Sequence, residues 1–168
     1  MQTAPHLVSA LVQNEHGTLN RLVSLFRRRG FMVNSLSVGD CEEAGLSRLT
    51  LGVDANDNML RQCVMQLEKS VDVIKVEDLG QKEIVHRELA FIQVHAQPEK
   101  RSEIIDISRV LNCEIVHLGQ TTMTLQVVAN AKKIEGLITL LKPYGIRKIT
   151  RSGVVAMNVE EDAELEKN

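Results

Sequence analysis

The residues best suited to holding a ligand are Asn14, Glu15, His16, Gly17 and Thr18. They fall between an alternating segment, His6–Gln13, and a segment with helical spacing, Leu19–Gly30. A glycine in such a loop lets the backbone turn sharply and come close to a bound group. The helix that follows aims its free N–H groups and the positive end of its dipole at the loop. A strand–loop–helix corner of this kind suits a small anion such as a carboxylate. It is too short for a dinucleotide fingerprint or a P-loop. On pattern alone, a plain helix-entry turn is the competing reading of Gly17. Asn14 has donor and acceptor groups that serve either a ligand or the turn itself.

No catalytic set accompanies this loop. The sequence has no nucleophile elbow and no HExxH motif. His6, His16, His86, His95 and His117 are dispersed, and only His16 lies in the loop. Cys41, Cys63 and Cys113 are far apart and form no CxxC, so they read as reduced structural thiols with no metal site. Arg27, Arg28 and Arg29 close the first helix, where cations complement the dipole.

Periodicity supplies the elements that must position the loop. Leu7, Ser9 and Leu11 alternate with Val8, Ala10 and Val12, as in a strand. Leu19, Leu22, Val23 and Phe26 mark one helix face, with Thr18 as the expected N-cap and Gly30 as the stop. Strands are expected at 31–39, 46–54 and 71–79, and a helix at 56–70 with Leu60, Cys63, Val64 and Leu67 inward. The order is βαββαβ. It recurs as strands at 89–96, 114–118, 122–128 and 146–151, with helices at 100–111 and 131–141. The inward residues of those helices are Ile104, Ile107, Val110 and Leu111, then Ile134, Leu137, Ile138 and Leu141. The fold class is therefore α+β, two consecutive ferredoxin-like βαββαβ domains at 4–80 and 81–158. The polar stretch 80–87 is the connector, and 159–168 is an acidic tail, expected to fray. Each unit would leave one sheet face without helices, which predicts dimerisation or docking through sheet faces or edges.

Composition narrows the function classes. The chain has 168 residues, 43% hydrophobic and 25% charged, enough for packed cores. Only three Phe, one Tyr and no Trp are present, so the cores must be aliphatic. An RNA-recognition domain shares the βαββαβ order but stacks bases on sheet aromatics, which are nearly missing here. Twenty basic against 22 acidic residues, net −2, argue against a general nucleic-acid surface. No apolar run is long enough to span a membrane, and 1–5 lacks signal-peptide features, so the expected location is cytoplasmic.

Six runs then match a known family in order. They are Val8–Gly17 (VSALVQNEHG), Leu25–Phe31 (LFRRRGF), Gly45–Thr50 (GLSRLT), Val71–Val76 (VDVIKV), Val85–Leu89 (VHREL) and Arg151–Met157 (RSGVVAM). The chain resembles the regulatory small subunit of acetolactate synthase (acetohydroxyacid synthase). The resemblance implies an N-terminal ACT domain, an amino-acid sensor of βαββαβ order, with a second ferredoxin-like domain after it. It implies no catalysis and no cofactor in this chain. The partner would be a large catalytic subunit, a transferase carrying thiamine diphosphate, Mg²⁺ and FAD. This chain would activate that partner and make it sensitive to feedback inhibition by valine or another branched-chain amino acid.

By matching position, the resemblance also implies an effector site where two ACT domains of a homodimer meet. Asn14, Glu15, His16, Gly17, Thr18 and Leu19 come from one subunit and Met32, Val33 and Asn34 from the other. The family commonly carries Asn where this chain has Met32, and Asn34 follows two residues later on the same expected face. Losing a polar partner of the ligand's ammonium weakens binding by about 1–3 kcal/mol. Cys113 stands where the family's second domain usually has Gly. Two other classes stay open on residues alone. One is a stand-alone amino-acid-sensing regulator, which lacks a helix-turn-helix pair here. The other is a small enzyme on the same scaffold, which lacks an identifiable nucleophile or base.

Overall fold

The computed structural model describes residues 3–80 and 83–159. The chain forms β1 (Ala4–Gln13), α1 (Thr18–Arg29), β2 (Met32–Asp40), β3 (Leu46–Ala55), α2 (Asp57–Glu68) and β4 (Val73–Asp78). It continues with β5 (Ile84–His95), α3 (Arg101–Val110), β6 (Glu114–Leu118), β7 (Thr122–Ala129), α4 (Ala131–Leu141) and β8 (Ile146–Asn158). Short 3₁₀ turns at Pro98–Lys100 and Lys142–Tyr144 precede α3 and β8. The two sheets have the same antiparallel plan, β2-β3-β1-β4 and β6-β7-β5-β8. This is the expected pair of βαββαβ layers. By packing, the described residues up to His86 form one compact unit with 154–159, and Arg87–Gly153 form the other.

In the first unit β1 is central, paired with β3 from Ala4↔Ala55 to Gln13↔Leu46. Alternation puts Val8, Ala10 and Val12 of β1 and Leu49, Leu51 and Val53 of β3 on the helix side. Leu22 and Phe26 of α1 and Leu60, Cys63 and Leu67 of α2 close that core. The α1 face differs from the expected one: Leu19 and Val23 are exposed, and Leu25 packs on the core instead. Burial pushes the Cys63 thiol up to about 11, so it is inert.

The opposite sheet face is not bare as expected. Ser9, Leu11 and Thr50 are buried, and the Ala156 backbone N–H donates to Thr50 Oγ1 at 3.4 Å. The reason is the length of β8, which runs seven residues past the expected end at Arg151. The edges β2 and β4 remain. Likewise β5 begins at Ile84, inside the stretch read as connector. Val159 donates to the Glu83 carbonyl, and the rest of the expected acidic tail lies outside the described residues.

In the second unit Ala90, Ile92 and Val94 of β5 and Met123, Leu125 and Val127 of β7 meet Ile104 of α3. Ile134, Leu137, Ile138 and Leu141 of α4 complete the core as expected, while Val110 is exposed and Ser108 buried. Arg101 donates to the carbonyls of Ala96, Gly119 and Gln120 and so fastens the β6–β7 turn. Glu88, 5% exposed, accepts two bonds from Arg151 at 2.9 and 2.6 Å. Those bonds raise the Arg151 pKa further, and Glu135 adds to the effect.

Replacing Arg151 with Met strands a buried carboxylate. Because Arg151 is one-third exposed, the expected loss is about 2 kcal/mol rather than the full cost of a deeply buried pair. Urea unfolding measures it; Glu88→Leu added to Arg151→Met should recover most of the loss. An unchanged midpoint for the single variant would contradict the pairing.

Candidate functional site

The corner after β1 is built by backbone bonds at its two ends. Gln13 N–H donates to the Asp72 carbonyl at 2.8 Å and Asn14 N–H to the Gly45 carbonyl at 2.9 Å. The chain then turns through Gly17, whose φ of +90° places it in the left-handed region where glycine is favoured. Gly17, not Thr18, is the N-cap of α1, so no side chain caps this helix. By contrast, Asn56 and Asn130 cap α2 and α4 with their side chains. Among the described residues, the N–H groups of Glu15, His16, Gly17, Leu19 and Asn20 find no acceptor. The corner therefore presents a row of open donors at the positive end of a helix dipole.

Thr18 has a different task from the expected one. It is buried, and its Oγ1 accepts from Arg21 Nη2 at 3.2 Å. The same guanidinium grips Asp72 with two bonds of 2.6 Å, from Nε to Oδ2 and from Nη2 to Oδ1. Asp72 is 3% exposed in the turn that leads into β4. The Arg21 guanidinium holds its carboxyl below the usual carboxylate range, against the opposing effect of burial. A Cβ built on Gly17 would sit 2.9 Å from Arg21 Nη1, so a side chain there would displace the guanidinium as well as strain the positive φ.

The other members of the corner are exposed: Asn14, Glu15, His16 and Leu19. Asn14 is partly engaged, since its Nδ2 donates to Asp40 Oδ1 at 3.3 Å. Met32, Val33 and Asn34 lie elsewhere. Met32 pairs with Asp54, whereas Asp40, beside the corner, pairs with Ser47. Those two β3 positions are seven residues apart, roughly 20 Å along a strand. One chain therefore keeps the loop and the start of β2 at opposite ends of its sheet. Val33 packs on the core, and Met32 is 64% exposed. Simple alternation does not describe Asn34: a bulge between Val33 and Ser35 leaves it without a partner on β3. Gly52 makes room for the bulge, since a Cβ there would lie 2.5 Å from Ser35 Oγ.

Arg21, Asp72 and Asp40 were missed by sequence reasoning. Arg21 stands three residues after Thr18, a helical spacing that places both on one face. Nothing local pairs it with an acid 51 positions away. Among the described residues no group of three or more His, Cys, Asp or Glu side chains could hold a metal ion. No helix among them is long and apolar enough to cross a membrane.

Two consecutive βαββαβ units of the ACT and ferredoxin-like type are the class that this plan defines. The family described as AHAS small subunit-like ACT domain matches residues 8–75, and that described as the small subunit of acetolactate synthase matches 87–160. The chain is 40% identical over 152 residues to the probable acetolactate synthase small subunit of Archaeoglobus fulgidus, spanning 90% of this chain and 95% of that one. It is 40% identical over 151 residues to the acetolactate synthase small subunit of Bacillus subtilis, spanning 89% and 88%. The crystal structure of the acetolactate synthase small subunit from Thermotoga maritima superposes with a TM-score of 0.85 at 34% identity, covering 94% of this chain and 99% of that one. The chain belongs to the acetolactate synthase small-subunit family.

The latch has a pH signature. Asp72 titrates lower in the folded state than its ordinary 3.8, so its ionisation stabilises the fold at neutral pH. That contribution is complete above about pH 4–5 and is lost as pH falls through the folded value. Asp72→Asn should lower the thermal midpoint at pH 7 and flatten its fall below about pH 4. Parallel acid limbs for variant and wild type would show that Asp72 is not held this way.

Proposed function

We propose that this chain is the regulatory subunit of an acetolactate synthase, docking on a catalytic subunit that carries thiamine diphosphate, Mg²⁺ and FAD. Its role is to raise the activity of that subunit and to make it respond to valine or another branched-chain amino acid. The observation that carries the effector reading is the uncapped start of α1, with open N–H groups around Gly17. An amino acid's carboxylate is the small anion that such a corner accepts. A branched aliphatic side chain matches exposed apolar groups such as Leu19 and Met32.

The roughly 20 Å between the corner and the start of β2 supports a site shared by two copies. In a homodimer with twofold symmetry, each loop meets the partner's β2 start, and two equal sites form. Ligand bound across that junction shifts the docked conformation only as far as its affinities for the active and inhibited states differ. A coupling of about 1–3 kcal/mol is typical. Met32 presents a thioether where an amide would pair with the ligand's ammonium, so the effector is expected to bind weakly.

Reconstitution tests the reading. Adding the purified chain to the catalytic subunit should increase acetolactate formation from pyruvate, and no increase at saturating chain would refute the regulatory role. Gly17→Asp places a carboxylate beside that of the ligand and should abolish the valine response. Gly17→Ala separates charge from strain, since it disturbs Arg21 without adding an anion. An inhibition curve left unchanged by Gly17→Asp would place the effector elsewhere.

A further inference from the structure

The arginine triplet at the end of α1 has an unexpected setting. Arg28 lines a cleft of about 460 Å³ between α1 and the turn that follows α2. Lys69, at the C-terminal end of α2, lines the same cleft. No carboxylate among the described residues pairs with either cation. The lining carboxylate, Asp72, is already paired with Arg21 through both of its oxygens, so Arg28 and Lys69 leave the cleft with net positive charge and no carboxylate of their own. Asn20, Ser24 and Ser70 add neutral hydrogen-bonding groups. Leu25 and Val71 give it an apolar wall.

The 560 Å³ cleft of the second unit makes a useful contrast. Its lysine, Lys100, is held by Glu103 at 2.8 Å, and Glu103 also accepts from the Tyr144 hydroxyl at 2.9 Å. That cleft is electrically balanced. The one beside α1 is not, and two cations lining one cleft together with hydroxyl and amide donors are a usual complement of a phosphate group.

We propose that the cleft between α1 and the turn after α2 binds a phosphate group, with Arg28 and Lys69 as its charged anchors. The group is either free phosphate or the phosphate of a small monoester whose body lies against Leu25 and Val71. This site is separate from the open corner at Gly17 and does not depend on the effector reading. Arg21 borders both places, through its bonds to Asp72 on one side and its Nη1 beside Gly17 on the other.

Calorimetry on the full chain tests the proposal, with inorganic phosphate and glycerol phosphate as probes. Ionic strength is held constant with chloride, because screening alone alters exposed charges. Saturable binding of at least one probe is expected. The double variant Arg28→Gln/Lys69→Gln should bind roughly tenfold or more weakly, from the loss of charge-assisted bonds. An unchanged far-ultraviolet circular dichroism spectrum shows that this variant is folded. Tighter binding of glycerol phosphate supports a phosphorylated metabolite as occupant; equal binding supports free phosphate. Absence of saturable binding up to about 10 mM for both probes, where even weak sites of a few kcal/mol fill, would overturn the proposal. Equal binding by variant and wild type would overturn it too.

Discussion

Arg21 closes two bonds of 2.6 Å on the buried carboxylate of Asp72 and a third on Thr18. This one pair ties the first turn of α1 to the entry of β4, across the central strand of the sheet. Because Thr18 is engaged inward, it cannot turn its hydroxyl back to cap the helix. Because Gly17 holds a positive φ, which other residues adopt only with strain, no side chain caps the helix from there. The open N–H groups of the corner are therefore a consequence of how the corner is fastened. Asp72 is buried while Arg21 is half-exposed, so the pair adds little net stability over apolar packing, yet removing Arg21 strands a buried carboxylate. Such a pair fixes a geometry more reliably than it adds stability.

A second constraint follows from the topology. In the order β2-β3-β1-β4, a helix carries the chain from the end of β1 back to the start of β2. The two segments tied to effector binding by the family resemblance must then sit at opposite ends of one sheet. A proposed site that uses both is incomplete in a single chain. The covered outer face of the first sheet narrows where a second copy can approach, because Ser9, Leu11 and Thr50 are already buried. Met32 and Val38 on β2 and Ile74 on β4 are exposed at the edges of that sheet.

Much of this architecture was legible in the residues. Period-two runs gave the strands of both units, and α4 was read to the residue because Ile134, Leu137, Ile138 and Leu141 form an uninterrupted stripe. The misreadings have physical causes. Thr18 has the chemistry of a cap, but a tertiary partner 51 residues on from Arg21 drew it inward. Val110 and Leu19 kept the helical period yet face solvent, since periodicity cannot say where the apolar stripe stops. Ser152 and Gly153 directly follow the expected end of the last strand, and β8 runs on through them with Gly153 at a φ of +80°. In the candidate site the glycine turn was readable. The Asp72 latch and the Asn34 bulge were not, because both depend on pairings distant in sequence.

In the proposed dimer the open corner of one copy and the β2 start of another form one amino-acid site. Isothermal calorimetry of the full chain with valine, leucine and isoleucine, alongside sedimentation of the same sample, tests it most directly. Saturable heat is expected for at least one of the three, at one ligand per chain, on a dimer. Absence of heat from all three at millimolar concentration on a folded dimer, or equal binding by a monomer, would contradict it.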